Sequence, residues 1–209
     1  MRYDLKGLYV ITDKKLIERD NFIDTVEKSL KGGAKILQLR EKNTDFNEQV
    51  YMARQLLKLT VKYKVPLIIN DSPEIAAEAG ADGVHLGESD SSVEEARKLL
   101  GDKSIIGVSC YGIMERGVQA LKTGADYLAF GTPYDTPTKP GRKPTPFNVL
   151  RQAKDKFQNT PVFAIGGITK DNISDVLATG VDGVAVITSV FGSHDPETSA
   201  RMLSGFFVR

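Results

Sequence analysis

Short apolar runs alternate with longer segments whose apolar positions recur every three to four residues, from one end of the chain to the other. The runs at 8–12, 36–39, 67–70, 83–86, 105–109, 127–130, 162–165 and 183–187 are short and mostly apolar on both faces, which predicts buried strands. The segments between them predict helices at about 21–31, 45–64, 92–100, 114–122, 146–156, 172–178 and 196–206, with one more opening at Ser72-Pro73-Glu74. That last start places a capping serine before a proline at the first helical position. Strict alternation of strand and helix implies a parallel sheet covered by helices.

An internal echo narrows the topology. Gly33-Ala34-Lys35, Gly80-Ala81-Asp82, Gly124-Ala125-Asp126 and Gly180-Val181-Asp182 each close a helix and launch a strand, spaced roughly 45–55 residues apart. Such spacing is two βα units, so the echo marks every second strand of a (β/α)8 TIM barrel built from doubled units. The glycines supply the left-handed position that ends each helix. An open doubly wound sheet is the alternative, but it needs no such regular repeat. With no linker in view, residues 1–209 read as one barrel domain.

Composition changes this picture little. At 209 residues with 41% apolar content, the chain can build one sizeable core. A formal charge of +1 leaves no basic footprint for nucleic acid or a membrane surface. The single cysteine, Cys110, excludes an internal disulfide framework and a cysteine-rich metal site. No apolar run approaches the length of a signal core or a membrane span, so a reducing cytoplasm is the default expectation.

Candidate chemistry gathers just after the strands. Gln38, Arg40 and Lys42 follow the second, Asn70 and Asp71 the third, His85, Glu88 and Asp90 the fourth, and Ser109 ends the fifth. In a βα barrel these positions share the C-terminal rim, where active sites are built. After the sixth strand comes an unusual segment, 131–145, with four prolines, four threonines and the cations Lys139, Arg142 and Lys143. Its composition suits a cover over an anion, or else a solvated surface loop. Arg40, Lys42 and Lys139 attract an anion that Asp71 and Asp90 repel. A Mg²⁺-bound diphosphate reconciles the two, because Mg²⁺ takes one or two carboxylates and leaves its other positions to water and phosphate. The alternatives are that Asp71 only favours the next helix N-terminus and that Arg40, Glu41 and Lys42 form a solvated charge run. Gly166-Gly167 and Ile187-Thr188-Ser189 match the place after strands seven and eight where barrels commonly bind phosphate. A plain glycine turn is the alternative there. His85 suits a hydrogen-bonded core histidine, His194 an exposed loop, and Cys110 a packing role.

The ordered motifs resemble the thiamine phosphate synthase family over nearly the whole chain. They are Tyr9-Val-Ile-Thr-Asp13, Gln38-Leu-Arg-Glu-Lys42, Asn70-Asp71, Gly83-Val-His-Leu-Gly87 with Asp90, Gly107-Val-Ser109, Thr136-Pro-Thr-Lys139, Ala164-Ile-Gly-Gly-Ile168 and Gly183-Val-Ala-Val186. The resemblance implies transfer of a hydroxymethylpyrimidine group from its diphosphate to a thiazole phosphate, with the carbon–oxygen bond breaking largely before attack. It implies Mg²⁺ on Asp71 and Asp90, with Arg40, Lys42, Asn70, Ser109 and Lys139 on the diphosphate. It also implies Gln38 on the pyrimidine, and Thr136, Thr138, Gly167, Ile187 and Thr188 on the thiazole phosphate. Arg40, Lys42, Ser109 and Lys139 would then be catalytic. Glu88, Ser72, Tyr111 and Thr188 depart from the family pattern, standing where glutamine, a bulkier residue, histidine and serine are common. A related thiazole tautomerase is the nearest alternative, but it lacks the aspartate pair and relies on a histidine where Tyr111 stands. The expected partners are the two small substrates, with no nucleic acid and no membrane; a homodimer is left open.

Overall fold

A computed structural model describes residues 3–131, 133–134 and 144–207. Its strands are β1 (Gly7–Ile11), β2 (Ile36–Leu39), β3 (Leu67–Asn70), β4 (Gly83–Leu86), β5 (Ile105–Tyr111), β6 (Tyr127–Gly131), β7 (Val162–Ile165) and β8 (Gly183–Val186). They pair in parallel in chain order, and β8 closes on β1. The helices are α1 (Phe22–Lys31), α2 (Phe46–Tyr63), α3 (Pro73–Ala79), α4 (Val93–Leu100) and α5 (Met114–Lys122), followed by α6 (Phe147–Lys156), α7 (Ile173–Leu177), α8 (Thr188–Phe191) and α9 (Pro196–Ser204). The expected (β/α)8 barrel is therefore observed.

Alternation along each strand divides the core in two. Leu8, Val10, Leu37, Leu39, Ile69 and Val84 face the helices, while Tyr9, Ile36, Ile68, Ile105, Tyr127 and Phe163 fill the barrel. The three inner aromatic rings meet edge-to-face, with centroids 5.5–6.0 Å apart, a geometry that suits the ring quadrupole. Gly107 makes room for one of them, since a Cβ there would sit 1.9 Å from Cζ of Tyr127.

The echo has a structural meaning at the N-terminal ends of the strands. Its glycines do take left-handed backbone, at φ of 101°, 74°, 98° and 88° for Gly33, Gly80, Gly124 and Gly180. The aspartates two residues on each close a clasp. Asp82 donates its N–H to the Leu67 carbonyl (3.0 Å), and its carboxylate accepts the Leu67 N–H (2.9 Å). Asp126 does the same with Ile106, and Asp182 with Val162. Each carboxylate has a further donor: Tyr3 for Asp82, Arg97 of α4 for Asp126, and Lys154 of α6 for Asp182. Lys35 keeps only the backbone half, donating to the Leu8 carbonyl, because an ammonium cannot accept an N–H.

Several strand ends differ from the sequence reading by a residue or two, and one helix, α8, was not expected. β5 runs two residues further, through an irregularity between Ser109 and Tyr111 that leaves Tyr111 at φ 56°. Ile187 leaves β8 to precede α8. That helix is too short to show a helical period in the sequence.

Candidate active site

A cavity of about 480 Å³ opens at the C-terminal ends of the strands, within the usual size for a small-molecule site. Gln38, Arg40, Lys42, Asn70, Asp71, Asp90, Ser109, Gly167, Ile187 and Thr188 all line it. Thr136, Thr138 and Lys139 lie outside the described residues, as do Arg142 and Lys143. The fold thus brings together every predicted site residue that it describes.

The segment after β2 is not a solvated charge run. Arg40 is largely covered and donates from Nη1 to Oδ2 of Asp13 at 3.0 Å. Glu41 is buried, with Oε1 lacking a hydrogen-bond partner among the described residues, and burial raises its pKa against the pull of Lys14 and Arg19. Only Lys42 reaches well into solvent, 57% exposed, with Nζ 3.4 Å from Oδ2 of Asp71. The reason for the difference is Thr12: its hydroxyl accepts the Arg40 N–H, and its N–H donates to the Gln38 carbonyl. Strand-like pairing therefore continues past β2 and draws Arg40 inward.

Across the cavity mouth, Asp71 occupies left-handed backbone at φ 65°. That conformation is uncommon outside glycine but tolerated by aspartate and asparagine, and here the Asp71 N–H donates to the His85 carbonyl. Asp90 folds back to accept the Gly87 N–H at 2.6 Å. Its carboxyl sits above the ordinary value, first through burial and then through the Asp71 carboxylate beside it, while the Gly87 amide and Lys42 pull it down. Two acidic groups share one corner, and among the described residues no third His, Cys, Asp or Glu joins them. Glu88 turns to Arg116 of α5 at 3.7 Å. Arg116 also donates to the Ser109 carbonyl and lies over the Tyr111 ring, a bracing role that the sequence reading did not assign.

On the opposite side, Gly166 and Gly167 both take positive φ. Asn172 fixes that turn, donating to the Gly167 carbonyl and accepting the Thr169 N–H. Ser189 ties α8 to it by donating to the Ile168 carbonyl.

The cavity floor holds residues that sequence reasoning missed. Tyr9 and Tyr127 looked like apolar strand members, yet their hydroxyls meet at 2.9 Å. Gln38 Nε2 donates to the Tyr9 hydroxyl at 2.5 Å. His85 joins the Tyr127 hydroxyl through Nδ1 and the Ser109 hydroxyl through Nε2, each at 2.9 Å. The signal available was that a buried phenol needs a polar partner, and both tyrosines occupy inward strand positions. Burial holds both phenols above their ordinary pKa, so they stay protonated. Cys110, by contrast, faces the outer core, and burial pushes its thiol up to about 12, consistent with packing. His194 is exposed.

Comparison with known proteins settles the lineage. A family profile described as thiamine monophosphate synthase matches residues 8–190. The chain belongs to the thiamine monophosphate synthase family. Its relatives include the thiamine-phosphate synthases of Marinobacter nauticus, 45% identical over 93% of this chain and 87% of that protein, and of Clostridium novyi, 42% identical over 94% and 96%. Among solved structures, thiamine phosphate pyrophosphorylase from Pyrococcus furiosus superposes with a TM-score of 0.86. It is 37% identical, covering 94% of this chain and 93% of that one. A member of the thiamine monophosphate synthase family is an enzyme of thiamine biosynthesis, a transferase, and the rim described above is where a barrel carries its chemistry. Among the described residues no helix is long and apolar enough to cross a membrane.

Proposed function

We propose that the chain transfers a hydroxymethylpyrimidine group from its diphosphate to the ring nitrogen of a thiazole phosphate, releasing pyrophosphate, with Mg²⁺ held by Asp71 and Asp90. One observation carries the reading: two carboxylates share a corner, one of them partly buried and raised in pKa, with Lys42 beside them and Arg40 lining the same cavity. Like charges so placed fit a divalent ion, and two carboxylates with no third ligand among the described residues leave room for water and phosphate oxygens, as Mg²⁺ prefers. When bound, the ion would neutralise charge on the departing pyrophosphate.

The protein's own groups do the rest. Arg40, braced by Asp13, and Lys42, Asn70 and Ser109 grip the diphosphate, joined by Lys139 from the 131–145 segment. Gln38 holds the pyrimidine, and Thr136, Thr138, Gly167, Ile187 and Thr188 hold the thiazole phosphate. These fixed donors stabilise charge as it develops on the leaving group, so the carbon–oxygen bond can break ahead of attack. The thiazole nitrogen needs only to be placed within reach of the short-lived pyrimidine cation. No general base is required.

The test supplies both substrates and follows pyrophosphate release with and without Mg²⁺. Release that needs the metal is expected. No release with Mg²⁺ present, or undiminished release in chelator, overturns the proposal.

A further inference from the structure

Five side chains form one unbroken hydrogen-bonded line across the barrel: Gln38, Tyr9, Tyr127, His85 and Ser109. Both ends line the cavity, while Tyr127 lies beneath it, fully buried. The ring of His85 stacks on that of Tyr127 at 25° and 5.5 Å, and Gly107 gives up its side chain to the Tyr127 ring. Every link along the line is 2.5–2.9 Å.

A hydroxyl has one proton and a neutral imidazole has one ring proton. A hydroxyl can also accept twice, but that strands its buried proton; for every proton to find an acceptor within the line, each internal member must accept on one side and donate on the other, so the line has two proton orders. In the first, the Gln38 amide donates to Tyr9, Tyr9 to Tyr127, Tyr127 to Nδ1 of His85, and Nε2–H of His85 to Ser109. Ser109 then keeps its own proton for the cavity, and Gln38 keeps its carbonyl oxygen for the cavity. In the second, every bond reverses. Ser109 spends its proton on His85 and offers the cavity only lone pairs, while Gln38 offers only N–H groups.

We infer that Tyr9, Tyr127 and His85 are positioning residues that lock the proton order of Ser109 to the amide orientation of Gln38, so that an anion at Ser109 makes Gln38 present its carbonyl oxygen. The inference rests on the diphosphate reading above. An anionic oxygen accepts but cannot donate, so a phosphate group beside Ser109 selects the first order. Gln38 then presents an acceptor, suited to a ring that carries an N–H donor such as an exocyclic amino group. Occupancy at one end of the cavity thereby sets specificity at the other without any movement of the backbone.

The test uses the full chain labelled with ¹⁵N-histidine, whose two histidines, His85 and His194, are readily told apart by substituting the exposed one. Inorganic pyrophosphate with Mg²⁺ is the probe, and long-range ¹H–¹⁵N spectra read which ring nitrogen carries the proton. The wild-type complex is expected to show Nε2–H. Once ionised, by raising the pH of the sample through the titration of the new carboxyl, Gln38→Glu can only accept from Tyr9, so it forces the second order: His85 moves to Nδ1–H, and pyrophosphate affinity falls about tenfold or more for the lost donor to a charged group. In a Tyr127→Phe background the line is cut, so the tautomer ignores residue 38 and only direct charge repulsion remains. Should Gln38→Glu fail to fold, Gln38→Met removes donor and acceptor alike and would strand the Tyr9 proton in the second order, so His85 must keep Nε2–H in its pyrophosphate complex, and Nδ1–H there overturns the inference. An unchanged His85 tautomer in Gln38→Glu, a ring protonated on both nitrogens throughout, or an affinity loss identical in the Tyr127→Phe background overturns the inference. No binding of pyrophosphate by the wild-type protein overturns it together with the diphosphate reading. A tautomer switch in a protein that releases no pyrophosphate from its two substrates upholds the relay and sinks the proposed reaction alone.

Discussion

At the N-terminal ends of the strands, Asp126 and Asp182 each meet a cation and accept a strand N–H, and Asp82 meets a phenol and accepts another. At the C-terminal ends, Asp71 and Asp90 face each other, with Lys42 3.4 Å from one and the Gly87 amide on the other. The residue type is the same, and its surroundings reverse its consequence. A carboxylate whose bonds are closed within the fold contributes to stability, because hydrogen bonds to charged groups are worth about 1.5–3 kcal/mol each. A carboxylate held beside another carries repulsion that Lys42 and the Gly87 amide offset only in part. One barrel end is therefore built to stay shut and the other to be completed.

The largest expected effect lies at the second end. Asp71→Asn preserves a residue tolerant of left-handed backbone and removes the charge. We expect kcat/KM to fall by about 10²–10³, while Tm stays level or rises. A large drop in Tm with kcat/KM intact would reverse the assignment of the two ends.

The complementary substitution is Asp126→Ala. It strands the Ile106 N–H and removes the partner of Arg97, at a cost of about 2–3 kcal/mol. For a chain of this size Tm should drop by about 4–12 °C, with kcat unchanged below the transition. A loss of turnover without a loss of Tm would show that the two ends are coupled.

The smallest effect sharpens the contrast through pH. Glu41 lies on the functional rim, buried, with its pKa raised mainly by desolvation. A carboxyl whose folded pKa exceeds its unfolded one costs stability while ionised, and that cost disappears as falling pH protonates it. Glu41→Gln should therefore raise Tm by about 1–3 °C at neutral pH, and the gain should vanish as pH is lowered through the carboxylate range. Thermal melts across that range would check it, and a gain that grows on acidification would contradict it.

Much of this could be read without coordinates, because periodicity reports which face of an element is buried. The alternation of elements and the echo before every even strand were enough to place Gln38, Arg40, Asp71, Asp90 and Ser109 on one rim. What the echo's aspartates do was not legible, since their partners Ile106 and Val162 are 20 residues away and are met only on barrel closure. Tyr9 and Tyr127 were hidden for a different reason. In a strand they read as apolar bulk, and their hydroxyls gain meaning only when β1, β4 and β6 converge on one axis. Arg40, Glu41 and Lys42 left a solvated charge run open as an alternative because adjacent charges usually stay in water, whereas pairing through Thr12 draws Arg40 inward. The role of Lys139 is carried by the sequence alone, since the residue lies outside those described.

The most direct test compares the two ends in one assay: the Mg²⁺ concentration that half-saturates pyrophosphate release, measured for the unaltered enzyme, Asp126→Ala and Asp71→Asn. The account predicts the same value for the first two and a much higher one for Asp71→Asn. Equal values for all three, or a shift in Asp126→Ala alone, would contradict it.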